Sequence, residues 1–455
     1  MSTASPGNEA DRHAFVSRPH RTLIALTIPV LFSMLAEPVA GIVDTFFVAR
    51  LGAAELAALG AATTLLSSFF WVFNFLGIGT QTEVAHALGR ADDEAARNAA
   101  SLALALAFAI GAGLALLLWP NLGALSAFMA DDDAVRGSME SYLAVRLLSA
   151  PAVLVTLAAF GALRGVQDMR TPLWVATAAN LVNAGLDPLL IFGAGPLPAL
   201  GVAGAAWASV VGQWIGAIWA VAAVRGNLGL AARVPWGQAP ALLVVGRDLV
   251  LRTGLLTVFL LLATRTSTRL GADAGAAHQV VRQVWLLTAF VLDAYAASAQ
   301  SLVGYFLGAE RVALARRVAG VACTWGLVTG VALSALMLAG EGLTAALLVP
   351  ASAQPLFSTS WRLLAAAQPL NALSFVTDGI HWGTRDYRFL RNAMLTATGV
   401  GLALLWGAES LASVWLVTGV WICVRAGFGM LRIWPGIGAA PLRGRRVVQG
   451  AKGKP

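Results

Sequence analysis

Long apolar stretches separated by short polar loops dominate this chain. A helix that crosses a bilayer needs about 20 mostly apolar residues, and about twelve stretches meet this requirement. They lie near residues 23–48, 54–80, 97–119, 141–163, 172–194 and 201–224, and then near 249–268, 274–303, 317–339, 361–381, 392–408 and 411–431. The pattern therefore predicts an all-α integral membrane protein with twelve transmembrane helices in two sets of six.

The two sets of six helices resemble each other in sequence. The segment RLGAAELAA at Arg50 is similar to RLGADAGAA at Arg269, an offset of 219 (269 minus 50). Further along, GALRGVQDMR at Gly161 is similar to GIHWGTRDYR at Gly379, at almost the same offset. Matches at a nearly constant offset indicate an internal repeat. Because each unit has an even number of spans, both units enter the membrane from the same side, as in transporters built from parallel repeats around a central cavity.

The pattern divides the chain into five parts. These are an N-terminal tail at 1–22, a first lobe at 23–224, a connector at 225–248, a second lobe at 249–434 and a basic tail at 435–455. Arginines concentrate in alternate loops, for example Arg90 with Arg97 and Arg385 with Arg388, whereas the opposite loop ADDDAVRGS is net acidic. Because basic loops stay in the cytoplasm, both tails are predicted to be cytoplasmic. We expect a monomer in the bilayer of a bacterial plasma membrane.

Composition supports this assignment and excludes several classes of protein. The chain is 58% hydrophobic and only 12% charged, whereas soluble domains contain about 25% charged residues. The net charge of +8 lies in short loops between apolar segments, so we expect no nucleic-acid partner. The only lysines are Lys452 and Lys454, which excludes a P-loop. The chain has no HExxH, paired-cysteine or GxSxG spacing, so we expect neither an enzyme nor a cofactor.

The first predicted helix contains acids and prolines. An acid at the centre of a span costs roughly 2.5–3.5 kcal/mol on insertion scales, so it is normally neutralised, paired or in contact with water. Glu37 and Asp44 are seven residues apart and share one face of the helix. Pro29 and Pro38 lie in the same span, and each can bend it. We predict a moving, water-lined helix with hinges at Pro29 and Pro38 and with Glu37 as a cavity candidate.

The segment NLVNAGLDPLLIFG holds the second concentration of polar residues. Asn180, Asn183 and Asp187 are spaced by three and four residues and share a helix face. Amide and carboxylate oxygens suit hard cations. If Asp44 joins Asp187, two like charges in one dry pocket disfavour full ionisation, so the pair could hold a proton. The predicted coupling site is Asp44, Asn183, Asp187 and Asn180, for H+ or for Na+. The alternative interpretation is that these residues only bond helices together.

The second lobe differs from the first in its polar residues. Neither Asp44 nor Asp187 has an acidic counterpart at the repeat offset, so ion coupling is predicted in the first lobe alone. The cavity and substrate candidates of the second lobe are Arg265, His278, Arg282 and Asp293. Asp293 could pair with either His278 or Arg282. Two interpretations stay open, namely a structural charge network, or a substrate contact or second proton relay.

Several of these segments resemble the multidrug and toxic compound extrusion (MATE) transporters, in particular their DinF-like branch. PVAGIVDTFFVARLG is similar to the first-helix signature of that family, and NLVNAGLDPLLIFG is similar to its fifth-helix signature. The resemblance runs from about Leu23 to Trp434. It implies two six-helix lobes around a V-shaped cavity, with alternating access and export driven by inward H+ or Na+.

The resemblance also implies roles for individual residues. Asp44 would be the coupling acid of the first helix, Asn183 and Asp187 its partners, and Pro29 the point at which that helix bends on protonation. Related transporters also use a hydroxyl on helix six, where this chain offers only Ser209. A Na+ site would therefore have fewer ligands, which favours protons.

The expected function is secondary active, cation-coupled efflux of a small amphipathic organic substrate, with H+ favoured over Na+. The alternative is a flippase for a lipid-linked precursor of the same superfamily. Such a flippase needs a basic cavity for a pyrophosphate headgroup, which Arg146, Arg265 and Arg282 would have to supply. A passive channel or scaffold is a third class, and a membrane enzyme has no visible nucleophile and base.

Overall fold

The fold is entirely helical over the part of the chain that the structure, a computed structural model, describes: residues 10–193, 195, 196 and 198–443. The long helices are α1 Pro19–Val48, α2 Ala53–Gly89, α3 Asp93–Met129, α4 Asp133–Gly165, α5 Arg170–Phe192, α6 Val202–Leu228, α7 Ala239–Arg269, α8 Ala272–Gly308, α9 Val312–Ala339, α10 Gln354–Gly383, α11 Tyr387–Leu405 and α12 Leu411–Ile433. Single 3₁₀ turns interrupt α3 at Trp119–Asn121 and α4 at Leu147–Ser149. Short helices are found at Ala14–Ser17 and Glu341–Leu348, with 3₁₀ turns at Trp236–Gln238 and Ala351–Ala353.

Within those described residues, nine of the helices are long and apolar enough to cross a membrane. The other three are α7, α10 and α11, which lack a stretch of 18 residues that is both as apolar and as poor in charge as those of the nine. They pack in the same bundle nonetheless. Phe259 of α7, for example, stacks on Trp421 of α12 with ring centroids 4.6 Å apart. Each of the twelve predicted spans overlaps one of these helices.

The predicted connector at 225–248 is only partly a loop, which corrects the sequence-based boundary. Helix α6 continues to Leu228, and α7 begins at Ala239, well before the predicted start at residue 249. The prediction ended each span where charged residues begin. A helix can nevertheless continue when its charges reach water or are paired, as Asp248 is with Arg391 at 2.8 Å. The basic-tail residues Arg445 and Arg446 lie outside the described residues.

Glycines bring the helices of the two repeats together in the same way. A Cβ atom at Gly161 of α4 would clash with the carbonyl oxygen of Gly77 in α2. One at Gly379 of α10 would clash with the carbonyl oxygen of Ala296 in α8. Backbones can approach this closely only where a side chain is absent. The sequence repeat relates Gly161 to Gly379 and Gly77 to Ala296. The crossing of α4 with α2 therefore corresponds to the crossing of α10 with α8.

The turns of the two repeats also correspond. In the described part of the chain, the non-glycine residues with positive φ are Ala91, Gln167, Glu310 and Arg385, at 55° to 66°. The repeat offset that relates Arg50 to Arg269 also relates Ala91 to Glu310, and the offset that relates Gly161 to Gly379 also relates Gln167 to Arg385. This conformation is uncommon outside glycine, so its occurrence in pairs at the repeat offset confirms the internal repeat.

The two repeats meet where α2 and α8 end. Gln81 of α2 donates through Nε2 to the carbonyl oxygen of Ala297 at 2.7 Å. Gln300 of α8, its repeat counterpart, donates to the carbonyl oxygen of Ile78 at 2.8 Å. We call this reciprocal contact, formed by residues 78–89 and 297–308, the seam. It lies at the end of the bundle that carries the arginine-rich loops.

Two further glycines allow the seam to close. A Cβ atom at Gly89 would clash with the carbonyl oxygen of Tyr305, and one at Gly308 would clash with that of His86. These four residues are also two repeat-related pairs. The seam is thus a pseudo-symmetric backbone contact, and any larger residue at either glycine must push the two helices apart.

Residues 10–17, which the hydrophobic pattern assigns to a tail, fold back over the seam. Phe15 is fully buried, and its ring lies 5.8 Å from that of Phe306 in α8. His13 Nε2 lies 2.9 Å from Gln167 Oε1 in the turn between α4 and α5. The segment therefore contacts both repeats at once. A single aromatic residue in a polar stretch was too weak a signal for the sequence pattern to reveal this.

Replacing Gly308 by alanine is expected to destabilise the protein, because the new methyl group must displace the backbone at His86. Overpacking of this kind costs about 1–3 kcal/mol, and Gly89→Ala should have the same effect. Gly419→Ala is a matched control, since a Cβ atom there meets nothing within 4 Å. Thermal unfolding of the purified variants tests this. If the seam variants have the same melting temperature as Gly419→Ala, the seam is not closely packed.

Candidate cation site

Asp44 and Asp187 meet between α1 and α5. Asp44 lies one turn before the end of α1 at Val48, and Asp187 lies little more than one turn before the end of α5 at Phe192. Their pair is therefore in the half of the bundle away from the seam. Asp187 is fully buried, and Asp44 is 9% exposed. The fold thus joins two acids that the sequence places on the first and fifth helices of the same repeat.

Asn183 connects this pair to α6. In the amide orientation that satisfies its hydrogen bonds, the side-chain N–H donates to Asp44 Oδ1 at 2.9 Å, and the side-chain oxygen accepts from the backbone N–H and the hydroxyl of Ser209, each at 3.2 Å. Helix α6 can approach α5 here because Gly212 has no side chain: a Cβ atom there would lie 2.6 Å from the carbonyl oxygen of Ala179. Asn183 is 5% exposed, so the amide and its partners form a dry pocket with the acids.

Asp187 lacks conventional hydrogen-bond partners. Among the described residues, no N–H or O–H group donates to either of its carboxylate oxygens. Its carboxyl group lies instead within hydrogen-bonding reach of that of Asp44. Two ionised carboxylates can only accept hydrogen bonds. A shared proton both provides the donor and removes one of two like charges, so the arrangement is suited to binding a proton.

Helix α4 adds two residues that the sequence analysis did not assign to this site. Tyr142 is almost fully buried, and both acids act on it electrostatically. Arg146, one turn later, acts electrostatically on Asp44. The span predicted at 141–163 placed both residues at its edge. Because α4 begins at Asp133, both residues lie well inside this helix. The feature of the sequence that could have revealed them is a pair of polar residues spaced by four positions.

Asn180 and Glu37 lie outside this pocket. Asn180 Nδ2 donates to the backbone carbonyl oxygen of Ala36 at 2.7 Å, so it bonds α5 to α1. Glu37 is exposed. Helix α1 stays helical through both Pro29 and Pro38. The face shared by Glu37 and Asp44 therefore reaches the pocket only at Asp44.

The second repeat holds a buried charge cluster that the sequence analysis only partly anticipated. Asp378 of α10 forms ion pairs with Arg252 of α7 and with Arg425 of α12, the latter at 2.9 Å. All three side chains are buried. Asp293 interacts electrostatically with this cluster and with Arg164 of the first repeat. Within the second repeat, the two acids Asp293 and Asp378 are matched in number by the two arginines Arg252 and Arg425. This is the arrangement expected of a structural charge network.

The other charged candidates of the second repeat do not join this cluster. His278 Nε2 lies 3.1 Å from Thr264 Oγ1, and Arg282 is close enough to act on His278 electrostatically. Arg265 is exposed. The suggested pairing of Asp293 with His278 or Arg282 is therefore wrong. Asp293 interacts instead with Arg252, which lies inside the span predicted at 249–268 and was not among the predicted site residues.

Comparison with known proteins agrees with this fold. The MatE family model matches residues 29–189 and, a second time, residues 249–406. The starts of the two matches are separated by nearly the repeat offset, and together the matches cover more than half of the chain. The chain belongs to the MATE family of transporters.

Relatives of this MATE transporter are found in plants and bacteria. Protein DETOXIFICATION 44, chloroplastic, of Arabidopsis thaliana is 31% identical over 428 residues, which cover 88% of this chain and 81% of that protein. DNA damage-inducible protein F of Escherichia coli (strain K12) is 29% identical over 436 residues, which cover 92% of this chain and 93% of that protein. These matches confirm the resemblance to the DinF-like branch. The MATE assignment also confirms that the chain is a transporter and not an enzyme.

Solved MATE structures share the fold of this transporter. The outward-facing conformation of a multidrug resistance MATE family transporter matches with a TM-score of 0.83 at 20% identity, covering 96% of this chain and 100% of that one. A MATE structure in the bent conformation also gives 0.83, covering 95% and 98%. The predicted all-α, multi-span MATE-like architecture is therefore confirmed.

Replacing Asp187 by asparagine should make thermal stability less dependent on pH. Asparagine has the shape of a protonated aspartic acid, and its amide can donate to Asp44. In the wild-type protein, raising the pH places two charges in a buried site, whereas the variant can gain only one. Melting temperatures measured from about pH 5 to about pH 9 should therefore fall further for the wild-type protein than for the variant.

The matched control for this measurement is Glu37→Gln, which removes an exposed acid from the same helix as Asp44. It should keep the wild-type dependence on pH. If Asp187→Asn and Glu37→Gln have the same pH profile, the two buried acids do not share a proton.

Proposed function

We propose that this MATE transporter is a proton-coupled antiporter that exports an amphipathic organic compound by alternating access. The observation that carries the proposal is the buried contact between Asp44 and Asp187, in which no donor from the described residues reaches Asp187. One proton satisfies both carboxyl groups and lowers the charge of the pocket. Binding and release of that proton are the chemical events on which coupling depends.

The arrangement of Asn183 favours H+ over Na+. A hard cation is held by several oxygen ligands. Asn183, however, turns its N–H donors toward Asp44 and uses its oxygen to accept from Ser209. The amide therefore competes with a metal ion for the Asp44 carboxylate and does not act as a ligand. A proton needs only the two carboxyl groups.

Alternating access requires that the proton and the substrate favour opposite conformations. We propose that the lobes 23–224 and 249–434 move relative to each other about the seam. Protonation of the acid pair would let α1 bend at Pro29 and displace the substrate. Since the seam is closed and the acids lie in the opposite half of the bundle, the structure corresponds in this scheme to a state that faces outward.

The arginine-rich loops set the proposed orientation in the membrane. They lie at the seam end of the bundle, together with residues 10–17, and the bias of basic residues toward the cytoplasm places that end inside the cell. Both termini are then cytoplasmic. The likeness to the Escherichia coli protein supports a bacterial plasma membrane.

Substrate binding is proposed between the two repeats. Arg164 of α4 and Asp293 of α8 come from opposite repeats, are both partly exposed and interact electrostatically. A matched solved structure is of a multidrug resistance transporter, which supports an organic substrate. The flippase alternative has less support, since Arg146 lies at the acid pair and Arg265 is exposed on α7, so these arginines do not form one basic cavity.

Efflux driven by a pH gradient should depend on both acids. Asp44→Asn and Asp187→Asn are each expected to lower ΔpH-driven efflux of a fluorescent cationic dye to the level of empty liposomes, because neither variant can exchange the shared proton. The measurement uses purified protein in proteoliposomes, with ΔpH and ΔNa+ imposed separately. The wild-type protein should respond to ΔpH and not to ΔNa+.

The control for this experiment is Glu409→Gln, which removes an exposed acid from the turn between α11 and α12 and should keep wild-type efflux. Correct insertion of all variants is checked by their yield and elution profile. Wild-type-like efflux by both aspartate variants would disprove the proposed mechanism. A response to ΔNa+ alone would replace H+ by Na+ as the coupling ion.

A further inference from the structure

The cation site contains a fixed positive charge as well as two acids. Arg146 acts electrostatically on Asp44 and on Tyr142, which lies one turn before it in α4. Both Asp44 and Asp187 act on the same tyrosine. Tyr142 is 1% exposed, so a single buried side chain interacts with the arginine and with both acids.

The fold holds Arg146 in this position. Its guanidinium donates to the hydroxyl of Ser149, which donates back to the Arg146 carbonyl oxygen at 2.7 Å. The 3₁₀ turn Leu147–Ser149 interrupts α4 at this point and buries Ser149 completely. Tyr142 and Leu147 pack in one apolar cluster with Val48 and Ile191. These last two residues lie one turn beyond Asp44 and Asp187, so the arginine is anchored at the level of the acids.

No other ionisable group takes the place of this arginine among the residues that the structure describes. Glu140, on the same helix, accepts from the Ser126 hydroxyl at 2.7 Å. Arg50, after the end of α1, is exposed and lies 4.3 Å from the ring centroid of Phe46. The remaining ionisable residues of α1, α2, α4, α5 and α6 lie toward helix ends or on exposed faces: His20, Arg21, Glu37, Glu55, Glu83, His86, Asp133, Arg136, Arg164, Arg170 and Arg225.

The charge of the pocket then determines how many cations it takes up. Two ionised acids and one arginine leave a single negative charge. A net charge is costly in a buried site, and interactions between charges are strong there. One monovalent cation makes the pocket neutral, and a second would give it a positive charge beside Arg146. Without the arginine, two cations would be needed for neutrality.

We propose that Arg146 limits this site to one coupling cation in each transport cycle. Arg146 acts on the cation through the two acids. It sets the stoichiometry and does not itself carry the proton. The inference rests on the proposed function, because it assumes that the coupling ion binds at Asp44 and Asp187.

Counting bound protons tests this inference without knowledge of the substrate. Purified protein in detergent is titrated from about pH 9 to about pH 5, and the proton uptake of the Asp44→Asn, Asp187→Asn double variant is subtracted. The wild-type protein should bind one proton more than this double variant. Arg146→Gln should bind two more, and Arg146→Lys, which keeps the charge, should bind one.

The outcomes separate the two proposals. Equal uptake by the wild-type protein and the double variant would disprove proton binding at the acid pair, and with it the proposed function. If the wild-type protein binds one proton but Arg146→Gln also binds one, only the role of Arg146 is disproved. Uptake of two protons by the wild-type protein would overturn the inference by itself, so the test is decisive even if Arg146→Gln does not fold.

Discussion

Two carboxyl groups that face each other in a medium of low dielectric constant cannot both stay ionised without a large electrostatic cost. The contact between Asp44 and Asp187 imposes that constraint on α1 and α5. Their position depends in turn on Asn183, which joins the acid pair to α6 through Ser209. Small residues at the α5–α6 crossing let the helices approach closely enough for this bond to form. Backbone packing thus determines the chemistry of the pocket.

The same principle operates at the opposite end of the bundle, with a different result. At the seam, glycine brings two repeat-related helices into direct backbone contact, and the paired glutamines Gln81 and Gln300 each bond the other helix. Hydrogen bonds to a carbonyl oxygen and close packing carry no net charge. The seam also contains Glu83, which forms a partly exposed ion pair with Arg385 of the second repeat at 2.6 Å. The buried acid pair thus lies in one half of the bundle, and the glycine contacts of the seam lie in the other.

The hydrophobic pattern was sufficient for the architecture, because each apolar stretch must form a helix in lipid to satisfy its backbone. It was also sufficient for Asp44, Asn183 and Asp187, since their spacing places them on particular helix faces. Contacts between helices distant in sequence were harder to predict. The pairing of Arg252 was not foreseen, although the residue lies inside a predicted span, because its partner Asp378 lies three helices further along the chain. Tyr142 and Arg146 were overlooked because the predicted span at 141–163 left them at its edge.

Residues 10–17 give the chain an unusual property for a segment that precedes the first membrane helix. They contact α8 through Phe15 and the turn before α5 through His13. Any motion that parts the two repeats at the seam must break at least one of these contacts. In the proposed transport cycle, the loss of such a contact opposes inward opening, so the segment would act as a brake on that step.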